Sequence, residues 1–290
     1  MKAIVYHRYG DADVLDYQEV DKPGPTADEV LIRVHAAAIN PYDKHFIGSK
    51  VTSFKAGDEV FGAARGAFAE YACARESAIA LKPATLTFEE VAALPVAAQT
   101  ALQGLRDKGK VQAGQRVLIN GAAGGVGTFA VQLAKSFGAR VTGVCSTHNV
   151  DLVHSLGAED VIDYTKDDFT ERRSHYDVLY DCIGNHSVAA CRRALKPKGI
   201  YIMVGGPISA WLSPFDRLFQ VLALSPFVSQ KLAPFLAQGR REDLLTLARL
   251  LEAGTVKSVI DRTYDLSETQ EAMRYFAEGH ARGKVMIRVR

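Results

Sequence analysis

Near the start of the chain Val30, Ile32 and Val34 stand two residues apart among polar neighbours, the spacing of a half-buried strand. Strands are predicted over 2–7, 14–20 and 29–37, with turn clusters such as Pro23-Gly24-Pro25 between them, so the opening region is mostly β. Asn40-Pro41-Tyr42-Asp43 starts a short turn or helix, 54–61 reads as a turn feeding a strand, and 66–73 as a further strand. At Thr87 the period changes. Thr87-Phe-Glu-Glu90 has the form of a capping box heading an alanine-rich helix, and a second helix is predicted over 100–108. From there apolar runs and helical stretches alternate: strands over 116–120, 140–144, 161–164, 176–183 and 200–204, helices over 128–137, 150–156, 166–173 and 187–195. This alternation predicts an α/β fold, a parallel sheet with helices on both faces. Residues 211–236 are apolar with mixed signals and give no order. The pattern closes with an amphipathic helix over 242–252, a helix from 267 and a strand over 284–289.

Composition narrows the function classes. The 290 residues are 48% hydrophobic and 23% charged, enough to bury two cores. A net charge of +2, with both signs interspersed, gives no reason to expect nucleic acid or an anionic membrane as partner. The first residues lack the apolar core of a signal peptide and no apolar run is long enough to span a bilayer, so cytoplasmic residence is the expectation. Cys73, Cys145, Cys182 and Cys191 include no Cys-x-x-Cys pair and read as reduced thiols rather than disulfide or zinc partners.

The chemistry concentrates at Val117-Leu-Ile-Asn-Gly-Ala-Ala-Gly-Gly-Val-Gly127, a buried-looking strand that runs into a glycine-dense turn and opens an apolar helix. Gly124 lets the backbone approach a pyrophosphate, Gly127 lets the helix pack on the strand, and the N–H groups of the first helical turn face the anion. Asn120, Ala123, Gly125 and Val126 are placed beside them by the same fingerprint. Ala122 stands where the pattern has its first glycine, and a tight structural turn is the competing reading. After the second strand come Ser146, Thr147 and His148, with no acid among them. Hydroxyls and a potential cation suit the 2′-phosphate of NADP, whereas an acid there would favour NAD. The strands ending near Ile183 and Gly205 also reach the carboxyl edge, where ligands of open α/β sheets collect.

Asn40-Pro-Tyr-Asp43, Phe54-Lys-Ala-Gly-Asp-Glu-Val-Phe-Gly62, Gly66-Ala-Phe-Ala-Glu-Tyr71, Ala122-Ala-Gly-Gly-Val-Gly127, Gly157-Ala-Glu-Asp-Val-Ile-Asp-Tyr164 and Gly283-Lys-Val-Met-Ile287 extend the pattern over nearly the whole length. With these stretches the chain resembles the medium-chain dehydrogenase/reductase superfamily, in its zinc-independent quinone oxidoreductase-like branch. The resemblance implies a Rossmann doubly wound parallel sheet over 89–251 and a GroES-like β domain, bearing the substrate and catalytic groups, over 1–88 and 252–290. It implies NADPH as cofactor, a small-molecule quinone or enone as substrate, and a homodimer joined at the last sheet strand around 227–235, where Pro234 limits pairing. The Gly-His-Glu motif and cysteine cluster of the zinc-dependent relatives are absent, so no metal is expected.

One departure stands out. The family has a further run, with about two strands, where this chain has only 44–53, so the GroES-like domain is shortened near residues 44–53. Either residues are missing from the sequence as read, or a real deletion leaves unpaired sheet edges and opens one wall of the active cleft.

The resemblance places Asn40, Asp43 and Lys44 in the catalytic cleft, Thr100 at the nicotinamide carboxamide, and Ser146, Thr147 and Tyr164 at the adenosine phosphate, with His148 where relatives often have arginine. Each has a competing structural role: Asx-type turn for Asn40 and Asp43, solvated lysine for Lys44, helix start for Thr100, strand-end caps for the hydroxyls. Tyr42 and Tyr71 are possible proton donors, as is water. The leading function is an NADPH-dependent reductase of quinones or α,β-unsaturated carbonyls. An NADPH-binding regulatory protein with an eroded catalytic domain is the alternative, and an alcohol dehydrogenase a weaker one.

Overall fold

The computed structural model describes residues 1–8, 10–39, 53–204, 221, 224 and 228–289. Asn40, Tyr42, Asp43, Lys44 and Gly205 lie outside the described residues, as does most of 211–227. The chain divides into two compact units: Met1–Gln99 with Gly239–Arg290, and Thr100–Gln238. The helix Arg241–Glu252 and the π-helical segment Leu94–Ala98 make contacts within the first of these units.

Among the described residues the second unit is built on six parallel strands: β1 (Arg116–Asn120), β2 (Arg140–Cys145), β3 (Asp160–Asp163), β4 (Tyr176–Asp181), β5 (Leu195–Met203) and β6 (Lys231–Pro234). Their spatial order is β3-β2-β1-β4-β5-β6, a doubly wound Rossmann sheet. Val117, Leu118 and Ile119 are all fully buried, as a strand covered on both faces requires. Helix α1 (Gly127–Ser136) follows β1, α2 (Val150–Ser155) follows β2, and α3 (Val188–Ala194) leads into β5. Ser187 caps α3 by accepting from Ala190 N at 3.2 Å. Phe169, Tyr176, Leu179, Tyr201 and Leu232 share one core cluster of this unit.

The helix predicted over 166–173 does not form. Asp168 accepts from Thr170 N at 2.8 Å and heads only the 3₁₀ turn Phe169–Glu171, while Asp163 accepts from Thr165 N at 3.1 Å. Side chains that bond their own backbone compete with helix continuation. The helix over 100–108 is split as well, into an α-helical turn Gln99–Gln103 and a π-helical one Gly104–Lys108.

The first unit carries small sheets: Lys2–Val5 against Asp16–Glu19, Glu29–Arg33 against Tyr71–Arg75, Val60–Gly62 against Ile79–Leu81, and Lys284–Arg288 between Ile260–Asp265 and Ala36–Ala38. The strand read over 66–73 therefore begins only at Tyr71. Ile79–Leu81 and Ile260–Asp265 are strands without a prediction. The capping box at Thr87 is present, with Glu90 N donating to Thr87 Oγ at 3.2 Å and Thr87 N donating to Glu90 Oε2 at 2.8 Å. The Lys284 ammonium, 5% exposed, donates to the Ile39 carbonyl at 2.6 Å and so fixes the backbone just before residue 40.

Candidate cofactor site

In this sheet order the chain leaves β1 toward β2 on one side and reaches β4 on the other, so the crevice at the switch point opens between the carboxyl ends of β1 and β4. Asn120 and Asp181 end those strands as register partners. The Asn120 amide donates to Asp181 Oδ1 and to Asn185 Oδ1, each at 2.9 Å. Asp181 is fully buried and also accepts from Ile183 N at 3.2 Å, Gly184 N at 2.8 Å and the Tyr201 hydroxyl at 2.7 Å. A buried carboxylate persists only when hydrogen-bonded in this way. Its bonds bend the chain after β4 and present Ile183, 46% exposed, at the edge. Asn120 thus has both amide protons in protein bonds and shapes the crevice from behind.

The turn from β1 into α1 explains the missing first glycine. Gly121 adopts φ +85°, the left-handed conformation a tight turn needs, one position ahead of the fingerprint, which leaves Ala122 free to be buried. A side chain on Gly127 would overlap the Gly121 carbonyl oxygen and stand 2.8 Å from Ala122 Cα. Among the described residues, one on Gly124 would meet only Gly121 O, at an ordinary 3.5 Å. Gly127 is therefore required by the protein itself, whereas no described residue fills the space over Gly124. Ala123 is buried, and Gly125 and Val126 lie in the turn. Gly124 N donates to Gly121 O at 3.1 Å and Thr128 N to Gly124 O at 2.9 Å, and between them the amides of Gly125, Val126 and Gly127, with no backbone acceptor among the described residues, stand at the positive end of a ten-residue helix.

Across β1 and β2 lies a cleft of about 360 Å³ whose lining includes Asn120, Val144, Tyr164, Phe169, Asn185 and His186. Beside it a side-chain hydrogen bond joins the loop after β2 to the end of β3. Ser146, Thr147 and His148 follow β2, and Tyr164, 56% exposed, follows β3. Thr147 Oγ donates to Asp163 Oδ2 at 2.6 Å, and Ser146 Oγ accepts from Asn149 Nδ2 at 3.1 Å. Thr100, 9% exposed, uses its carbonyl to accept from the Tyr180 hydroxyl at 2.9 Å. Asn40, Asp43, Lys44 and Gly205 cannot be placed among the described residues. The glycine turn with its open space, the apolar floor at Val144 and the hydroxyl rim fit a dinucleotide phosphate bearing an adenosine.

Sequence reading missed Asp163, Asp181, Asn185 and Tyr201. The available signal was an acid ending each of two apolar strands, in Val161-Ile-Asp163 and Val178-Leu-Tyr-Asp181. The Thr147 hydroxyl, then the Thr165 hydroxyl and Lys166 ammonium, hold the Asp163 carboxyl far below the usual carboxylate range. A group depressed in the folded state adds stability above its unfolded pKa of about 3.9, and that stability is lost as pH falls toward the folded value. Asp163→Asn should therefore flatten the acid limb: urea midpoints of the variant and the natural protein, apart at pH 6, should converge as pH drops below about 4. Parallel midpoints down to pH 2 would remove Asp163 from this account. Burial, and then the Asp163 charge, push the Cys145 thiol up to about 11, and burial followed by Asp181 raises Cys182 further. Both thiols are protonated at neutral pH and supply no nucleophile.

Among the described residues no group of three or more His, Cys, Asp or Glu side chains could hold a metal, and no helix is long and apolar enough to cross a membrane. A family model described as zinc-binding dehydrogenase matches residues 156–287. The 2-methylene-furan-3-one reductase of Solanum lycopersicum is 34% identical over 328 residues, covering 99% of this chain and 79% of that protein. The NADPH-dependent alkenal/one oxidoreductase of Arabidopsis thaliana, a chloroplastic protein, is 33% identical over the same spans. The quinone oxidoreductase from Coxiella burnetii superposes with a TM-score of 0.89 at 30% identity, covering 100% of this chain and 99% of that one. Alignments of 328 positions against a chain of 290 mean that the two plant relatives carry about forty positions this chain lacks.

Proposed function

The chain belongs to the medium-chain dehydrogenase/reductase superfamily, among its quinone oxidoreductase-like members, and from that premise we propose that it transfers hydride from NADPH to a quinone or an α,β-unsaturated carbonyl without zinc. The observation that carries this reading is the turn at the sheet's switch point, closed against the protein at Gly127 and, among the described residues, open over Gly124. NADPH, when bound, supplies the hydride that adds to the electrophilic carbon.

The protein's residues supply position and charge. Amides of Gly125, Val126 and Gly127 bind the pyrophosphate, Ser146 and Tyr164 donate to the adenosine phosphate with Thr147, its hydroxyl proton held by Asp163, beside them, and Ile183 covers the cofactor where the chain leaves β4. The buried Asn120–Asp181 pair keeps those groups in one arrangement, so that less of the barrier is spent on orientation. Asn40, Asp43 and Lys44 are assigned to the substrate oxygen, where negative charge develops as hydride adds, with water as proton source. Support for the substrate class comes from relatives named as reductases of a methylene-furanone and of alkenals and enones. The sheet edge at β6, followed by Leu236 at 82% exposed, is assigned to a homodimer contact.

The test is NADPH oxidation followed at 340 nm with a benzoquinone and a 2-enal as acceptors, on protein treated with a strong chelator. Turnover that survives the chelator is expected. Turnover abolished by chelation and restored by zinc would overturn the metal-free mechanism. Tight NADPH binding with no turnover on either acceptor would favour a binding or regulatory protein, the reading that the shorter chain supports.

A further inference from the structure

The cofactor rim contains an acid after all. Asp163 ends β3 and its side chain is 10% exposed, between the loop bearing Ser146, Thr147 and His148 and the one bearing Tyr164. A bare carboxylate beside an adenosine ribose accepts its hydroxyls and repels a phosphate monoester. This one is not bare. Its Oδ1 accepts from Thr165 N at 3.1 Å and Thr165 Oγ at 2.8 Å, and its Oδ2 from Thr147 Oγ at 2.6 Å and Lys166 Nζ at 3.0 Å. Four donors fill the four lone-pair directions of an ionised carboxylate.

The Lys166 ammonium and the Thr147 hydroxyl therefore meet at one oxygen atom, which fixes the cation beside the residue assigned to the adenosine phosphate. The lysine side chain is 66% exposed and spends one of its three donors on Asp163. His148, the cation that sequence position offers, is exposed and has no hydrogen bond or ion pair among the described residues to hold it. We infer that Lys166, held in place by Asp163, is the residue that selects NADPH over NADH in this chain: it neutralises the acid at the rim and provides the ammonium for the 2′-phosphate. The inference rests on the NADPH-binding reading of this site.

Dissociation constants for NADPH and NADH are measured by nicotinamide fluorescence, without substrate, on the natural protein, Lys166→Met, Lys166→Arg and His148→Ala. Circular dichroism melts confirm that each variant is folded. Lys166→Met is expected to weaken NADPH about tenfold, the size of a charge-assisted hydrogen bond, and to leave NADH unchanged. The salt dependence of NADPH binding should become shallower, and Lys166→Arg should restore most of the preference. Equal weakening of both cofactors, an unchanged NADPH constant, or loss of preference in His148→Ala instead would overturn the role of Lys166. Natural protein without any preference for NADPH would instead sink the cofactor reading, before any variant is compared.

Discussion

Gly127→Ala is expected to cost ~3 kcal/mol of stability, the upper range for a side chain forced into filled space, and to remove NADPH binding with it. The added methyl would overlap the Gly121 carbonyl oxygen and press on Ala122 Cα at 2.8 Å. Neither atom can retreat, because Gly121 already sits at φ +85° and Ala122 is fully buried. Relief has to come from lifting the start of α1 off β1, and the amides at that start are the proposed phosphate cradle. Gly124→Ala is the matched control. Among the described residues its methyl meets only Gly121 O, at 3.5 Å, so the urea midpoint should hardly move while NADPH binding weakens about tenfold, since the methyl enters the space assigned to the pyrophosphate. Urea denaturation and fluorescence titration on both variants separate the two roles. If Gly124→Ala binds NADPH as the natural protein does, the cradle is in the wrong place.

The second large effect belongs to Asp181. Asp181→Ala leaves the Asn120 amide, the Tyr201 hydroxyl and the amides of Ile183 and Gly184 without their common acceptor in a fully buried site. Donors that lose a buried charged acceptor carry a desolvation cost, so the loss should be about 3 kcal/mol, with a further weakening of NADPH from the freed chain after β4. Tyr201→Phe removes one donor and keeps the shape, and should cost about 1.5 kcal/mol with cofactor affinity nearly intact. The check is a urea midpoint with and without saturating NADPH. An Asp181→Ala protein as stable as its parent would mean that the buried carboxylate contributes little at the switch point.

Much of the second unit was legible in the sequence. Val117-Leu-Ile, Val178-Leu-Tyr and Ile200-Tyr-Ile are short apolar runs between turn residues, and strands covered on both faces read that way whatever their neighbours. The glycine turn was legible for a related reason: backbone placed so close to backbone tolerates one residue type, and that restriction is visible letter by letter. The failed helix over 166–173 shows the limit. Lys166-Asp-Asp-Phe-Thr-Glu-Arg-Arg173 has helical composition, but Asp163 and Asp168 draw their local amides into turns, and periodicity does not record that competition.

The sequence by itself therefore determined most of the element types of the second unit, the glycine turn and the family, because each depends on local spacing or on the steric demand of a single position. Tertiary structure decided which strand lies beside which, and with it the chemistry of the crevice. Asp181 meets Asn120 across 61 positions and Tyr201 across 20, and Asp163 meets Thr147 across 16, pairings that exist only because β4 packs between β1 and β5 and β3 lies beside β2. A polar residue at the end of an apolar strand looks the same in sequence whether it faces water or a buried donor. Only the folded sheet supplies the donor, and burial makes that bond strong enough to shape the site.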